Sequence, residues 1–175
     1  RMYCLLEDIN EEIHERKQLQ ELSTTDRLTG LPNRALWNDH LGMTLAASRR
    51  APGSQVAVIS LDINQFKMYN DTLGRSVGDR LLCDIAARLD SVVRESDSLA
   101  RLGGDQFGIL LQPVNNAHAA SERVITQVLD CLDAPFSCGG KQLCVNVTLG
   151  VACFPDHGTS EETLLTNAES AMYRA

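Results

Sequence analysis

Two acidic residues stand where a folded chain can present them together. Asp105 is at the tip of Arg101-Leu102-Gly103-Gly104-Asp105-Gln106-Phe107-Gly108-Ile109-Leu110-Leu111, which reads as strand, tight turn, strand. Gly103 and Gly104 can take positive φ and leave the backbone bare. A carboxylate beside bare backbone can hold a metal ion and a phosphate at once, although Gly-Gly-Asp is also the sequence of an ordinary hairpin turn. Asp62 follows Val56-Ala57-Val58-Ile59-Ser60-Leu61, an apolar run rich in β-branched residues that predicts a central strand buried on both faces. The carboxyl end of such a strand is where these sheets place ligands. Two carboxylates within one metal's span, next to a glycine turn, suit metal-assisted phosphoryl chemistry. Magnesium needs only one or two protein carboxylates when phosphate oxygens complete its shell.

The elements that must position these acids follow from periodicity. A Gly/Pro/Asn-rich loop over Thr25–Arg34 precedes a helix from Ala35 to Ser48, with Leu36, Leu41 and Leu45 inward. After the Asp62 strand, Gln65–Asn70 turns helical, Asp71–Ser76 reads as a loop around Gly74, and a long helix runs from Val77 to Arg94. Its inward residues are Leu81, Leu82, Ile85, Leu89 and Val92. Asp79 lies in its first turn, where a carboxylate is often no more than a capping or dipole-pairing group. Beyond the hairpin come a helix over Ala117–Leu132, strands at Phe136–Cys138 and Gln142–Cys153, a loop and a last helix from Ser160. Val145, Val147, Leu149 and Val151 alternate as for a sheet covered on one face. The core order β-α-β-β-α-β fits an α/β (α+β) fold of ferredoxin-like or polymerase-palm type. In that sheet the end of the first strand and the central hairpin lie side by side, so Asp62 and Asp105 converge.

Composition narrows the function classes. The chain has 175 residues and a formal net charge of −7. That balance argues against a nucleic-acid surface, which needs basic patches, yet a nucleotide can bind where cations offset its phosphates. The six cysteines, Cys4, Cys83, Cys131, Cys138, Cys144 and Cys153, show no zinc spacing and predict reduced, buried thiols in a cytoplasmic domain. No membrane-length apolar stretch is present, although a longer parent could still be membrane-anchored. The charged segment Asp8–Leu22 predicts a helix with a thin apolar stripe, preceded by a strand end at Met2–Leu6.

Five segments in order carry a family resemblance: DRLTGLPNR at 26–34, LDINQFKMYNDTLGRSVGD at 61–79, RLGGDQF at 101–107, VTLGVACFP at 147–155 and NAESAMYRA at 167–175. Together they resemble the GGDEF domain family, the diguanylate cyclases that join two GTP molecules into cyclic di-GMP. The resemblance covers residues 24–175 and leaves 1–23 as a linker or signalling helix, similar to the exit of a PAS sensor domain. It implies Mg2+ or Mn2+ held by Asp62, Asp105 and the main chain of Ile63, with Asp105 assisting deprotonation of the attacking 3′-hydroxyl. Gly103 and Gly104 would admit the nucleotide. Backbone amides near Gln65 and Phe66, with the Lys67 ammonium, would hold the triphosphate, and Asn70 with Asp79 would read guanine. Arg94-Glu95-Ser96-Asp97 matches the family's RxxD inhibitory site, where Arg94 and Asp97 would bind cyclic di-GMP; read without the family it is a surface pair at a helix end.

The departures bear on activity. The fourth signature residue is Glu in the family and Gln106 here, and an uncharged amide is a poorer partner for cations. Asn64 stands where the family has Asp, and Arg75 where it has His; neither is an essential ligand in this scheme. The family's last helix continues with a phosphate-contacting Lys just after the position of Ala175. Two functional readings follow. One is an enzyme that needs a homodimer, each protomer supplying half of the reaction and Asp105 with Gln106 at the catalytic position. The other is a module that binds GTP or cyclic di-GMP and signals to a neighbouring sensor or output domain, the late AMYRA motif being similar to GGDEF domains joined to EAL domains. Gln106 favours the second.

Overall fold

The computed structural model describes residues 24–138 and 140–175, so the strand end and helix expected before Ser23 lie outside the described residues. The elements are α1 (Arg34–Ser48), β1 (Gln55–Ile63), α2 (Phe66–Leu73), α3 (Arg75–Val92), β2 (Ser98–Gly103), β3 (Gln106–Val114), α4 (Ala117–Asp133), β4 (Phe136–Cys138), β5 (Lys141–Leu143), β6 (Val147–Phe154) and α5 (Glu161–Met172). Four strands form an antiparallel sheet in the order β2-β3-β1-β6, and β4 and β5 make a separate small hairpin. This is the sheet order that the β-α-β-β-α-β reading expects.

β1 explains the layering. Its side chains alternate between the sheet faces. Ala57, Ile59, Leu61 and Ile63 join one core with Leu81, Leu82, Ile85 and Leu89 of α3 and Val124, Val128 and Leu132 of α4. Val56 and Val58 join a second core with Trp37, Leu41 and Leu45 of α1 and Leu164 and Ala168 of α5. Helices therefore cover both faces, as the reading of β1 expects, and the one-face cover expected from Val145, Val147, Leu149 and Val151 is corrected. The alternating valines of β6 fill one side, while Ala152 and Phe154 pack into the other core. Position 62 has the parity of 56 and 58, so Asp62 belongs to the α5 side.

Other expectations shift for local reasons. Leu36 is only half-buried; Trp37, one residue along, is the α1 anchor, fully buried beneath β3. The expected loop over Asp71–Ser76 is helical except for Gly74, whose φ of 89° ends α2 and starts α3. Gln142–Cys153 is two strands, because Cys144–Asn146 leaves the sheet and turns toward β1. Cys138 and Cys153 are buried as expected, but Cys83 and Cys131 are half-buried and Cys144 is exposed. No helix among the described residues is long and apolar enough to cross a membrane.

Candidate active site

The site forms where β1 ends beside the β2–β3 turn. Register places Asp62 directly opposite Gln106 on β3 and opposite Thr148 on β6. The Ile63 amide donates to the Asp105 carbonyl at 3.3 Å, which ties the turn to the strand end. Gly103 (φ 132°) and Gly104 (φ 57°) both have positive φ, and a Cβ on either would meet open space. Glycine is thus required here by backbone conformation, and the turn remains open to an approaching ligand.

The two acids lie close enough to influence each other electrostatically. Burial raises the Asp62 carboxyl above its ordinary pKa, the neighbouring Asp105 charge raises it further, and a hydrogen bond from Gln106 pulls in the opposite direction. That bond runs from Gln106 Nε2 to Asp62 Oδ2 at 3.3 Å. Two mutually repelling carboxylates at an accessible turn are a donor set that a divalent cation relieves. Among the described residues no group of three or more His, Cys, Asp or Glu could hold a metal ion. Asp62 and Asp105 could hold a magnesium ion if phosphate oxygens completed its shell.

The segment after β1 is fixed by polar contacts. The Asn64 amide donates to the Asn146 carbonyl, and Thr148 Oγ1 donates to Asn64 Oδ1 at 2.7 Å. Gln65 adopts a left-handed conformation (φ 57°) immediately before α2. A non-glycine residue at positive φ is unusual and clusters at functional turns. Phe66 is buried beneath α2, whereas Lys67 is exposed, its ammonium available to an anion. Asn70 lies over Gly78 of α3, so close that a Cβ there would stand 1.9 Å from Asn70 Oδ1. Asp79 follows Gly78 and is exposed. Asn70 on α2 and Asp79 on α3 thus flank the α2–α3 junction, on elements separate from the hairpin.

Arg94 and Asp97 lie in the turn between α3 and β2 and line a cleft of about 700 Å³ with His40, Met43 and Thr44 of α1. Arg94 is exposed. Asp97 Oδ1 accepts the Gln112 amide at 3.0 Å, so one of its oxygens holds β3 in place.

Sequence reasoning gave no role to several residues that shape the site. Arg101 braces the glycine turn: its Nε and Nη2 donate to the Gly104 carbonyl at 3.0 and 2.6 Å, while Nη1 reaches Asp26. Arg34 Nε donates to the Leu102 carbonyl at 2.9 Å. Both arginines and Asp26 lie within the quoted motifs, and their charge in glycine-rich loops was the available signal. Met172 and Tyr173, at the end of α5, wall a pocket of about 230 Å³ with Asp62, Gln106 and Thr148. They arrive there because α5 lies directly on Gly150 of β6, where a Cβ would stand 2.0 Å from the Ala168 carbonyl oxygen.

Comparison with known proteins agrees with this fold. Over 174 residues, 99% of this chain and 26% of the relative, the sequence is 33% identical to the cyclic di-GMP phosphodiesterase PdeR of Escherichia coli. Over 153 residues, 86% of this chain and 34% of the relative, it is 39% identical to the diguanylate cyclase TpbB of Pseudomonas aeruginosa. The chain therefore spans about a third or less of the length of these curated relatives. The solved GGDEF domain of TpbB superposes with a TM-score of 0.82 at 38% identity, covering 86% of this chain and 87% of that one. The coiled coil and GGDEF domain of DgcB from Caulobacter crescentus, 23% identical, shares the fold with a TM-score of 0.87, covering 99% of this chain and 91% of that one. The family model described as diguanylate cyclase, GGDEF domain, matches residues 23–175, and the chain belongs to that family.

Proposed function

We propose that the domain binds GTP with Mg2+, or Mn2+ in its place, and makes little or no cyclic di-GMP by itself. In this reading it is a regulatory nucleotide-binding module of a larger cyclic di-GMP signalling protein. The observation that carries it is the neutral Gln106 beside Asp62 and Asp105, in the place where the family signature has a third acid. Asp62, Asp105 and the Ile63 main chain would hold the cation. When bound, the cation offsets triphosphate charge and polarises the α-phosphate. The protein's own part is to position: Gly103 and Gly104 admit the phosphates, Lys67 and the amides at Gln65 and Phe66 bind them, and Asn70 with Asp79 selects the base. The Asp79 carboxylate can accept from both guanine N1–H and the 2-amino group, which adenine does not offer together. Residues 1–23 would serve as the linker from a preceding domain.

A second reading is an active cyclase: two GTP-loaded protomers face each other, each 3′-oxygen attacks the other's α-phosphorus, and diphosphate leaves. Retention of Asp105 at the turn favours it, as does the cleft at Arg94 and Asp97, which fits product inhibition by cyclic di-GMP. Calorimetry of GTP with Mg2+ tests the nucleotide reading. Binding that disappears in Asp62→Ala and is absent for ATP is expected; equal binding of GTP and ATP would contradict the base-reading role of Asn70 and Asp79.

A further inference from the structure

Gln106 does more than omit a charge. It is the direct cross-strand neighbour of Asp62, and its amide nitrogen faces Asp62 Oδ2 at 3.3 Å. Only this orientation is attractive, because the amide oxygen turned toward a carboxylate would repel it. Asp62 at the end of β1 and Asp105 at the turn offer two carboxylates, which with triphosphate oxygens suffice for one divalent cation. An acid at position 106 would add a third anionic donor, through which a second cation could be held. In this chain Asp62 Oδ2 already accepts an N–H, and the side chain at 106 offers no anionic oxygen for another ion.

We propose that this is a one-cation site: with GTP bound, Asp62 and Asp105 share one divalent ion, and the Gln106 carboxamide stands in for a second by donating its N–H to Asp62. The inference rests on the GTP-binding reading above and deepens it, because it makes position 106 the determinant of cation number. Asp62 Oδ1 and the Asp105 carboxylate remain for the ion. The pocket of about 230 Å³ that Asp62 and Gln106 line with Thr148, Met172 and Tyr173 gives that ion and its waters room.

Equilibrium dialysis of the whole chain with Mn2+ and the α,β-methylene analogue of GTP counts both ligands without turnover. The expected result is one Mn2+ per bound nucleotide at saturation, rising to two in Gln106→Glu. In Asp62→Asn the count should fall below one at the same Mn2+ concentration. Two ions per nucleotide in the native protein would overturn the proposal whether or not the Glu variant folds. An equal count in the native and Glu proteins would overturn it too, as would a count unchanged in Asp62→Asn, since the triphosphate alone would then hold the ion. Failure of the native protein to bind the analogue at all is a different result, which removes the GTP-binding reading and this inference with it.

Discussion

Arg101 clamps Asp26 with one nitrogen, Nη1, which lies 2.9 Å from Oδ1 and 3.1 Å from Oδ2. Its other two nitrogens hold the Gly104 carbonyl, so one side chain joins the glycine turn of the site to the loop that opens the domain. The Arg101 amide adds a bond to the Pro32 carbonyl at 2.9 Å. The loop at Asp26 is thereby tied through one side chain to the backbone beside Asp105.

This clamp predicts a pH dependence of stability. Burial raises the Asp26 pKa, but hydrogen bonds from the Thr29 hydroxyl, Arg101 and the Thr29 amide, with the Arg101 charge, outweigh it and leave the carboxyl below its ordinary range. A depressed folded pKa means stability that is present above the unfolded value, about 4, and lost as pH falls through the lower folded value. Urea unfolding should show that part of the acid destabilisation below about pH 4 is absent from Asp26→Asn. At neutral pH the variant should be less stable by about 1–2 kcal/mol, the scale for a partly exposed charged hydrogen bond. An unchanged acid profile would show that the clamp contributes nothing.

Gly150 predicts a packing defect that reaches the site. An added Cβ would stand 2.0 Å from the Ala168 carbonyl oxygen and 2.3 Å from the Met172 amide nitrogen, both backbone atoms that cannot rotate away. Gly150→Ala must push α5 off the sheet, with a loss of about 1–3 kcal/mol or more. Met172 and Tyr173 then move away from Asp62, so thermal stability and nucleotide affinity should fall together. A variant as stable as the native protein would contradict this packing.

Gly78 predicts the opposite separation. Its nearest neighbour is the far end of Asn70, which can swing aside; the buried Phe66 ring, 3.3 Å from the added Cβ, must give by a few tenths of an ångström, a cost that the gain of about 1 kcal/mol in helix propensity offsets. Gly78→Ala should therefore stay close to native stability while GTP affinity falls about tenfold, a loss of about 1.4 kcal/mol. Calorimetry alongside thermal unfolding separates the two effects, and undiminished affinity would remove Asn70 from base recognition.

The cleft between α1 and the α3–β2 turn gives a paired test. Arg94 is exposed, so Arg94→Ala should abolish cyclic di-GMP binding without changing the unfolding temperature. Asp97 also caps the Gln112 amide, so Asp97→Ala should lose both binding and about 1 kcal/mol of stability. Cyclic di-GMP affinity unchanged in Arg94→Ala would remove the inhibitory site.

Much of this was legible in the chain because periodicity and glycine punctuation report local structure. The buried run at 56–61 announced a central strand, and its register with the Gly-Gly turn follows from the order of elements. What periodicity could not show was the partner of each side chain. Trp37 rather than Leu36 anchors α1 because a helix phase error of one residue moves the inward face by about 100°. Asp71–Ser76 looked like a loop because Gly74 and polar residues crowd it, but Gly74 alone makes the break. Arg101 and Asp26 are 75 positions apart, and no local signal pairs them. The hydrogen bond from Gln106 to Asp62 likewise needs the strand register before it can be seen.

The central claim concerns position 106. Product formation from GTP with Mg2+ or Mn2+, measured on the domain held as a dimer by a fused dimerisation segment beside Gln106→Glu, tests it most directly. Low or no cyclic di-GMP from the native protein is expected, with a gain of about 10²–10³ in the Glu variant, the scale for one electrostatic stabiliser. Robust turnover by the native Gln106 protein, or no gain on restoring the acid, would contradict the account.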